Sequence, residues 1–281
     1  MSVSANSDLA VQAGRWLHVS WTSCPPVPSI ETTISAGSFQ AAVKFLVVIP
    51  TIRQGLPGFE ETIRRVRESF THPTEFHVLD GRDGKAQTMN RALEEIVRPS
   101  DAQIVVTMDD DYRPGSGWQD LLAKGFELDR KWGALAIWLG DHEAATYYML
   151  AHYCGPIRER QGLRYRNVPH NLTGCMIAFR KEVALAVGPY PPTPEKYQVW
   201  EDGYRCARVK KLGYRMAYLL GSTPELVEYD DTPEYRESKN ADLQQSIPKI
   251  TGYMRAGGVG PSLWTRLVGR AKREIAKRRK G

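Results

Sequence analysis

Short apolar runs alternate with longer amphipathic segments from about residue 44 onward. Runs rich in apolar residues at 44–50, 76–80 and 104–108 predict buried strands. Between them, segments 57–70 and 85–97 place apolar side chains at three- and four-residue steps, which predicts helices. This alternation predicts an α/β fold with a mainly parallel sheet flanked by helices.

Polar residues follow each of these strands directly. Pro50 and Thr51 close the first strand, Asp80 closes the second, and three aspartates, 109–111, follow the third. In open α/β sheets, ligands bind outside the carboxyl ends of the strands. We therefore expect these residues to share one crevice.

The three aspartates of IVVTMDDDYRP need a positive partner, because neighbouring carboxylates repel and raise one another's pKa. Carboxylates at a strand end can hold Mg²⁺ or Mn²⁺, which usually shares its remaining sites with substrate phosphates. The segment therefore predicts a metal–diphosphate site. In the alternative interpretation, Asp111 caps a helix that begins near Gly117.

The net charge of +6 is concentrated at the C-terminus. Residues 264–281 carry eight Lys or Arg against one Glu, which is +7, so the rest of the chain sums to −1. Apolar residues of this tail recur at helical spacing, which is typical of a helix that binds an anionic membrane surface. There are two alternatives. The tail forms a helix that packs on its own domain, or it binds along the phosphates of a nucleic acid.

Composition and patterning divide the chain into three parts: a loosely ordered extension over 1–43, an α/β domain over 44–235, and a helical region with the basic tail over 236–281. No apolar stretch approaches the roughly 20 residues that span a bilayer. No secretion signal is recognised, which predicts a cytoplasmic protein, peripheral at the membrane if the tail binds there. The four cysteines form no C-x-x-C pair and predict reduced thiols.

Six motifs extend over most of the predicted domain. In chain order they are VVIPT (47–51), VLDG (78–81), GKAQTMNRAL (84–93), TMDDDYRP (107–114), LTGCMIAFRKEVALAVGPY (172–190) and EDGYRCARVKKLGYRMAY (201–218). The ordered set resembles the glycosyltransferases of the GT-A fold, most of all the large inverting family two. The resemblance runs from about residue 44 to residue 220.

The resemblance implies roles for individual residues. Pro50, Thr51 and Asp80 resemble the positions that hold the nucleotide base and ribose. Asp109 and Asp111 resemble the outer members of the DxD metal motif, and Asp110 is grouped with the nucleotide-binding residues. Asp202 resembles the catalytic base, and Arg208 the arginine that often follows it by six residues.

Three further candidates have a structural alternative. Lys85 begins a predicted helix and either reaches a phosphate or is solvated. Trp200 either stacks on a sugar ring or belongs to the core. Glu201, next to the predicted base, is also the kind of residue that a helix dipole favours in a first turn.

The chain departs from the family pattern in three places. Only Arg82 and Asp83 separate Gly81 from Gly84, where relatives usually insert a helix and a strand. We therefore expect the donor pocket to be lined differently from that of the relatives. No Q-x-x-R-W motif of processive synthases follows residue 218, which favours transfer of a single sugar. A histidine that serves some relatives as third metal ligand is missing. Its candidate substitutes are Glu228, Asp230 and Asp231.

Together these features predict a glycosyltransferase that depends on Mn²⁺ or Mg²⁺ and moves one sugar from a UDP- or GDP-type donor to an acceptor hydroxyl, with inversion. A bound metal would offset the charge on the departing diphosphate, and Asp202 would take the acceptor's proton. The alternatives are a nucleotidyltransferase of related fold, a glycosyltransferase acting on DNA, and a non-catalytic binding module. The sequence does not identify the acceptor.

Overall fold

The computed structural model of this protein describes residues 43–139, 154–169, 171–172, 175–190, 196 and 201–246, with only the backbone at 201, 240 and 243–246. All of these residues belong to one compact unit. The predicted extension before residue 43, Trp200 and the basic tail 264–281 lie outside the described residues.

Ten strands are found in the described part of the chain. They are β1 Phe45–Thr51, β2 Thr74–Asp80, β3 Ile104–Met108, β4 Tyr112–Arg113, β5 Trp132–Ile137, β6 Ile157–Arg160, β7 Leu163–Val168, β8 Met176–Arg180, β9 Arg215–Leu220 and β10 Glu225–Leu226. Eight of them form one sheet in the order β2-β1-β3-β8-β5-β9-β7-β6, and β4 pairs with β10 separately. The β1–β2, β1–β3 and β5–β9 pairs are parallel, and the other pairs in the large sheet are antiparallel.

Helices cover both faces of the sheet. They are α1 Pro57–Glu68, α2 Lys85–Ala92 with a π-helical turn at Leu93–Val97, α3 Trp118–Leu128, α4 Lys181–Val187, α5 Glu201–Lys211 and α6 Pro233–Ser246. No helix in the described ranges has the length and apolar character that crossing a bilayer requires.

The core consists of two apolar layers, one on each face of the sheet. Alternate residues of β1 supply them: Val47 packs in the layer that includes α1 and α3, whereas Val48 packs in the layer that includes α2, α4 and α5. A strand whose side chains are buried on both faces reads as a continuous apolar run, because successive side chains point to opposite sides. This is the pattern that predicted β1 and β3.

The predicted α/β class is confirmed, and the predicted strands and helices are found within two residues of their expected bounds. Tracing the pairings from β2 shows that six of the eight strands in the large sheet run in one direction. β8 runs opposite to its neighbours β3 and β5, so the sheet is mixed. The carboxyl ends of β1 and β3 therefore lie at the same edge as the amino-terminal end of β8, and this edge carries the candidate site.

Candidate active site

The aspartate segment after β3 is held by backbone hydrogen bonds on both sides. The amide of Asp109 donates to the carbonyl of Cys175 at 2.8 Å, next to β8. The carbonyl of Asp111 accepts from the amide of Val227 at 2.7 Å, beside the β4–β10 pair. The chain just before β10 packs so closely here that a Cβ atom on Gly115 would lie 2.6 Å from the backbone nitrogen of Thr223. Two separate elements thus fix the direction of the aspartates.

The middle aspartate, Asp110, is buried in a polar network. Its carboxylate accepts a hydrogen bond from Thr51 Oγ1 at 2.6 Å and forms an ion pair with Arg53 Nη1. The Nε and Nη2 atoms of Arg53 donate to the two carboxylate oxygens of Asp231, each at 2.8 Å. The ring of Tyr229 lies 4.7 Å from the guanidinium carbon of Arg53. Asp110 therefore ties β1 and the residues before α6 to the aspartate segment.

The outer aspartates have different surroundings. Asp109 accepts a hydrogen bond from Lys85 Nζ at 2.8 Å. Asp111 has no side-chain hydrogen bond or ion pair with any residue that the structure describes. Burial, with the negative charges of Asp109 and Asp110, raises the pKa of Asp111 to about 6. Arg53 and Lys85 therefore pair with Asp110 and Asp109, and neither pairs with Asp111; the metal–diphosphate partner stays a prediction.

The alternative interpretation of Asp111 as a helix cap is wrong. Helix α3 begins at Trp118 after Gly117, whose φ of 69° is left-handed, and no side chain caps its first turn. Glycine adopts this conformation without steric cost, which allows the chain to turn into α3 at this position. The acidic run is thus unconnected with starting α3.

Lys85 is placed by the start of α2. Gly84 precedes it with φ 110°, and the amide of Lys85 donates to the carbonyl of Lys196 at 2.9 Å. Its ammonium group consequently lies beside the carboxylate of Asp109 rather than in bulk solvent, and the solvated alternative for Lys85 is wrong.

The predicted base, Asp202, is the second residue of α5 and is half-buried. Its Oδ1 accepts from the amide of Gly203 at 2.6 Å, and its Oδ2 accepts from Asn171 Nδ2 at 3.2 Å. Burial raises the pKa of Asp202, against the opposing effect of these two hydrogen bonds. The carboxylate is therefore held in one orientation. The side chain of Glu201 and the whole of Trp200 lie outside the described residues.

One cleft brings several of these residues together. Its lining consists of Pro50, Lys85, Met89, Thr107, Met108, Asp109, Ile177, Tyr190, Asp202 and Arg205. Four of them, Pro50, Lys85, Asp109 and Asp202, are candidates from the sequence, although they come from distant parts of the chain. The cleft thus joins the end of β3 to the start of α5.

Five other described candidates do not line this cleft: Thr51, Asp80, Asp110, Asp111 and Arg208. Thr51 uses its hydroxyl to hold Asp110. Asp80 ends the edge strand β2, directly opposite Thr51 on β1, and its carboxylate is exposed and bound to Arg82. Hydrogen bonds from Arg82 lower the pKa of Asp80 to about 2. Arg208 donates from Nε to the carbonyl of Val187 at 3.2 Å, which ties α5 to α4.

Asp80 therefore lies at the predicted edge of the sheet, beside Thr51, but outside the residues that line this cleft. β2 lies at the border of the sheet, so the side chain at its end faces solvent and Arg82 satisfies it locally. The nucleotide-binding role of Asp80 stays a prediction.

The three candidate substitutes for a third metal ligand have different surroundings. Asp231 is bound to Arg53, and Asp230 accepts from Arg236 Nη2 at 2.9 Å, whereas Glu228 is exposed. Across the described ranges, no group of three or more histidine, cysteine or acidic side chains is arranged to hold a metal. The assignment of Asp109 and Asp111 as metal ligands stays a prediction.

Sequence reasoning missed two arginines. Arg53 lies two residues after Thr51, and its role depends on Asp231, 178 residues away. Arg205 lies three residues after Asp202 on α5 and lines the same cleft. Residues three apart on a helix share a face, which is the one local signal that could have indicated Arg205.

No protein-family model matches the chain, and no curated protein sequence matches it. Solved structures with a similar fold include glycosyltransferases. A mannosyltransferase from Pyrobaculum calidifontis in complex with GDP-Man and Mn²⁺ is 17% identical with a TM-score of 0.43, covering 81% of this chain and 79% of that chain. Glucosyl-3-phosphoglycerate synthase from Mycobacterium tuberculosis in complex with Mg²⁺ and UDP is 16% identical with a TM-score of 0.49, covering 79% and 82%. At this similarity the reaction of this chain has to be inferred from its own side chains.

Proposed function

We propose that this protein is a metal-dependent glycosyltransferase that moves one sugar from a UDP- or GDP-type nucleotide sugar to an acceptor hydroxyl, with inversion at the anomeric carbon. The observation that carries the proposal is the single cleft lined by Asp109, Lys85 and Asp202. The cleft combines a group that would bind a metal, a cation for phosphate and a carboxylate base. Sugar transfer from a diphosphate requires these three functions together.

Asp109 and Asp111 would hold Mn²⁺ or Mg²⁺. Their carboxylate oxygens are hard ligands, and two protein ligands leave positions for water and substrate phosphate, as these ions prefer. Asp110 is buried and held by Arg53 and Thr51, whereas Asp109 is paired with the more exposed Lys85, whose ammonium group we assign to the donor phosphate. When bound, the metal neutralises charge that develops on the departing diphosphate.

The donor would lie at the β1–β3 end of the cleft. We assign phosphate contact to Lys85 and contact with the nucleoside to Pro50, with Asp80 at the outer rim. Thr51 and Asp110 act indirectly in this proposal, because their polar atoms hold the aspartate segment in place. We assign Trp200 and Glu201 to the acceptor side, whereas Arg208 would act indirectly by tying α5 to α4.

Asp202 would act as the general base. Its carboxylate takes the proton of the acceptor hydroxyl, whose oxygen forms the new bond to the anomeric carbon. The bond from that carbon to the phosphate oxygen breaks, and its electron pair leaves with the nucleotide diphosphate. Attack opposite the leaving group inverts the anomeric centre. The hydrogen bonds from Gly203 and Asn171 keep the base oriented for this step.

Thermal stability measured with nucleotide diphosphates, with and without Mn²⁺, tests the proposal. We expect UDP or GDP to raise the melting temperature only when Mn²⁺ is present, since binding to the folded state stabilises it. Absence of any Mn²⁺-dependent shift in melting temperature would overturn the proposal and favour the alternative of a non-catalytic binding module. Selective stabilisation by nucleoside triphosphates would favour the nucleotidyltransferase.

The basic tail, residues 264–281, would place the enzyme at an anionic membrane surface. Its charge of +7 supports this proposal, because each cation near such a surface adds roughly 1 kcal/mol of attraction. We expect sedimentation with vesicles of anionic lipid at low salt, little with neutral lipid, and loss of binding when the tail is deleted. Equal sedimentation with both lipids would contradict it, and stronger binding to duplex DNA would favour the DNA acceptor.

A further inference from the structure

Arg205 is a buried cation in the wall of the cleft. It is 5% exposed, as is Arg53. Its guanidinium carbon lies 3.9 Å from the ring centre of Phe179 and 5.4 Å from that of Tyr190. Nη1 donates to the hydroxyl of Tyr190 at 3.1 Å, while Nε is buried without a hydrogen-bond partner among the described residues. Only part of its hydrogen-bonding capacity is therefore used.

The contrast with Arg53 is informative because the two arginines are equally buried. Arg53 forms ion pairs with two aspartates. Arg205 forms none with the residues that the structure describes. A guanidinium group stays protonated in proteins, and a buried charge without an opposite charge is costly. The aromatic rings offset some of this cost but supply no anion. Among the described residues, no acidic side chain balances the charge of Arg205, and an anionic ligand would do so.

The position of Arg205 indicates which ligand this is. It lies one helical turn from Asp202 on α5, and both residues line the cleft. Lys85 and Asp109 line the same cleft, and we assign both to the donor diphosphate. Apolar side chains of Met89 and Ile177 contribute to the wall as well. An anion at Arg205 would thus be held beside the proposed base.

We propose that Arg205 binds an anionic group, a phosphate or a carboxylate, on the acceptor, and so positions the acceptor hydroxyl at Asp202. This inference rests on the proposed function, whose acceptor it defines by chemical class. The interaction holds the acceptor at two points, the anion at Arg205 and the hydroxyl at Asp202. Two-point attachment orients a nucleophile far better than one contact does.

Inorganic phosphate is the simplest probe of this site. We expect about 20 mM phosphate to raise the melting temperature of the full chain by about 2 to 4 °C relative to chloride at equal ionic strength. Arg205→Gln should lose this shift, and Arg205→Lys should keep part of it because the charge remains. Arg98→Gln is the matched control: Arg98 is exposed, pairs with Glu94 on the same helical segment, and is absent from the cleft. It should respond to phosphate as the parent does.

The same variants separate the acceptor from the donor. Mn²⁺-dependent binding of nucleotide diphosphate should stay within about 3-fold of the parent in Arg205→Gln and Arg205→Lys. Loss of nucleotide binding together with the phosphate response would assign Arg205 to the donor and overturn the inference. An unchanged phosphate response in both variants, or none in the parent, would overturn it too. If phosphate binds as expected but no nucleotide does, only the proposed function fails.

Turnover supplies a further test. With small hydroxylated phosphates and carboxylates and their uncharged counterparts as acceptors, release of nucleotide diphosphate should require the charged compounds. Arg205→Lys should raise the acceptor KM by about 10-fold or more and change kcat less, as expected of a positioning residue. Preference for uncharged acceptors, or a fall in kcat alone, would contradict the inference even if Arg205→Gln does not fold.

Discussion

Asp111→Asn is expected to abolish Mn²⁺-dependent binding of nucleotide diphosphates while leaving the protein folded. Asparagine keeps the shape of the side chain and removes the negative charge, so one of two protein carboxylates for the metal is lost. Asp109→Asn should have the same effect. Asp111 has no side-chain partner among the described residues and lies near two other carboxylates. Its removal should therefore lower repulsion, and the melting temperature without metal should equal or exceed that of the parent.

Asp110→Asn and Asp120→Asn are the controls for this prediction. Asp110 is bound to Arg53, so its variant should lose about 2 kcal/mol or more of folding free energy, because a buried ion pair is broken. Asp120 is exposed on α3, and its variant should bind metal and nucleotide normally. Calorimetric titration of nucleotide with and without Mn²⁺ measures these effects. Parental affinity and metal dependence in both Asp109→Asn and Asp111→Asn would show that the assigned ligands are wrong.

The second large effect is expected at Asp202. Asp202→Asn should lower kcat by about 100-fold or more, the usual range for loss of a general base. Nucleotide and metal affinity should remain near parental values, because Asp202 belongs to α5 and not to the strand-end aspartates. The asparagine oxygen can still accept the hydrogen bond from the amide of Gly203, so the start of the helix should be preserved.

Lys210→Gln provides the matched control on the same helix. Lys210 is exposed and donates to the carbonyl of Pro169, and it does not line the cleft. Its variant should turn over normally. If Asp202→Asn loses nucleotide binding as much as turnover, this residue belongs to the metal site. Retention of anomeric configuration in the product would exclude direct displacement.

Strands and helices of the first half could be predicted because each is specified by a local pattern. Phe59, Ile63 and Val66 occur at helical spacing and are buried on one face of α1. β1 and β3 read as apolar runs because both faces of the sheet are covered. The direction of β8 could not be predicted, since an apolar run such as MIAFR looks the same in either orientation.

The candidate site was predictable to a different degree at each residue. Pro50, Lys85, Asp109 and Asp202 were named from motifs, and the fold brings them to one cleft. The motif alone could not distinguish Asp110 from its two neighbours, because Asp110 differs from them through its contacts with Arg53 and Thr51. Asp80 also looked equivalent to the other strand ends until the sheet order placed it at the border.

By itself, the sequence determined the fold class, the acidic run after β3 and the residue types available for sugar transfer, because these depend on short-range spacing. Tertiary structure alone decided which charges are paired. Arg53 and Asp231 meet across 178 positions of the chain, whereas Arg205 is enclosed by Phe179 and Tyr190 without meeting a carboxylate of the described residues. Whether a charge is neutralised depends on distances of a few ångströms between residues that are remote in the chain, and those distances exist only once the sheet and its helices have packed.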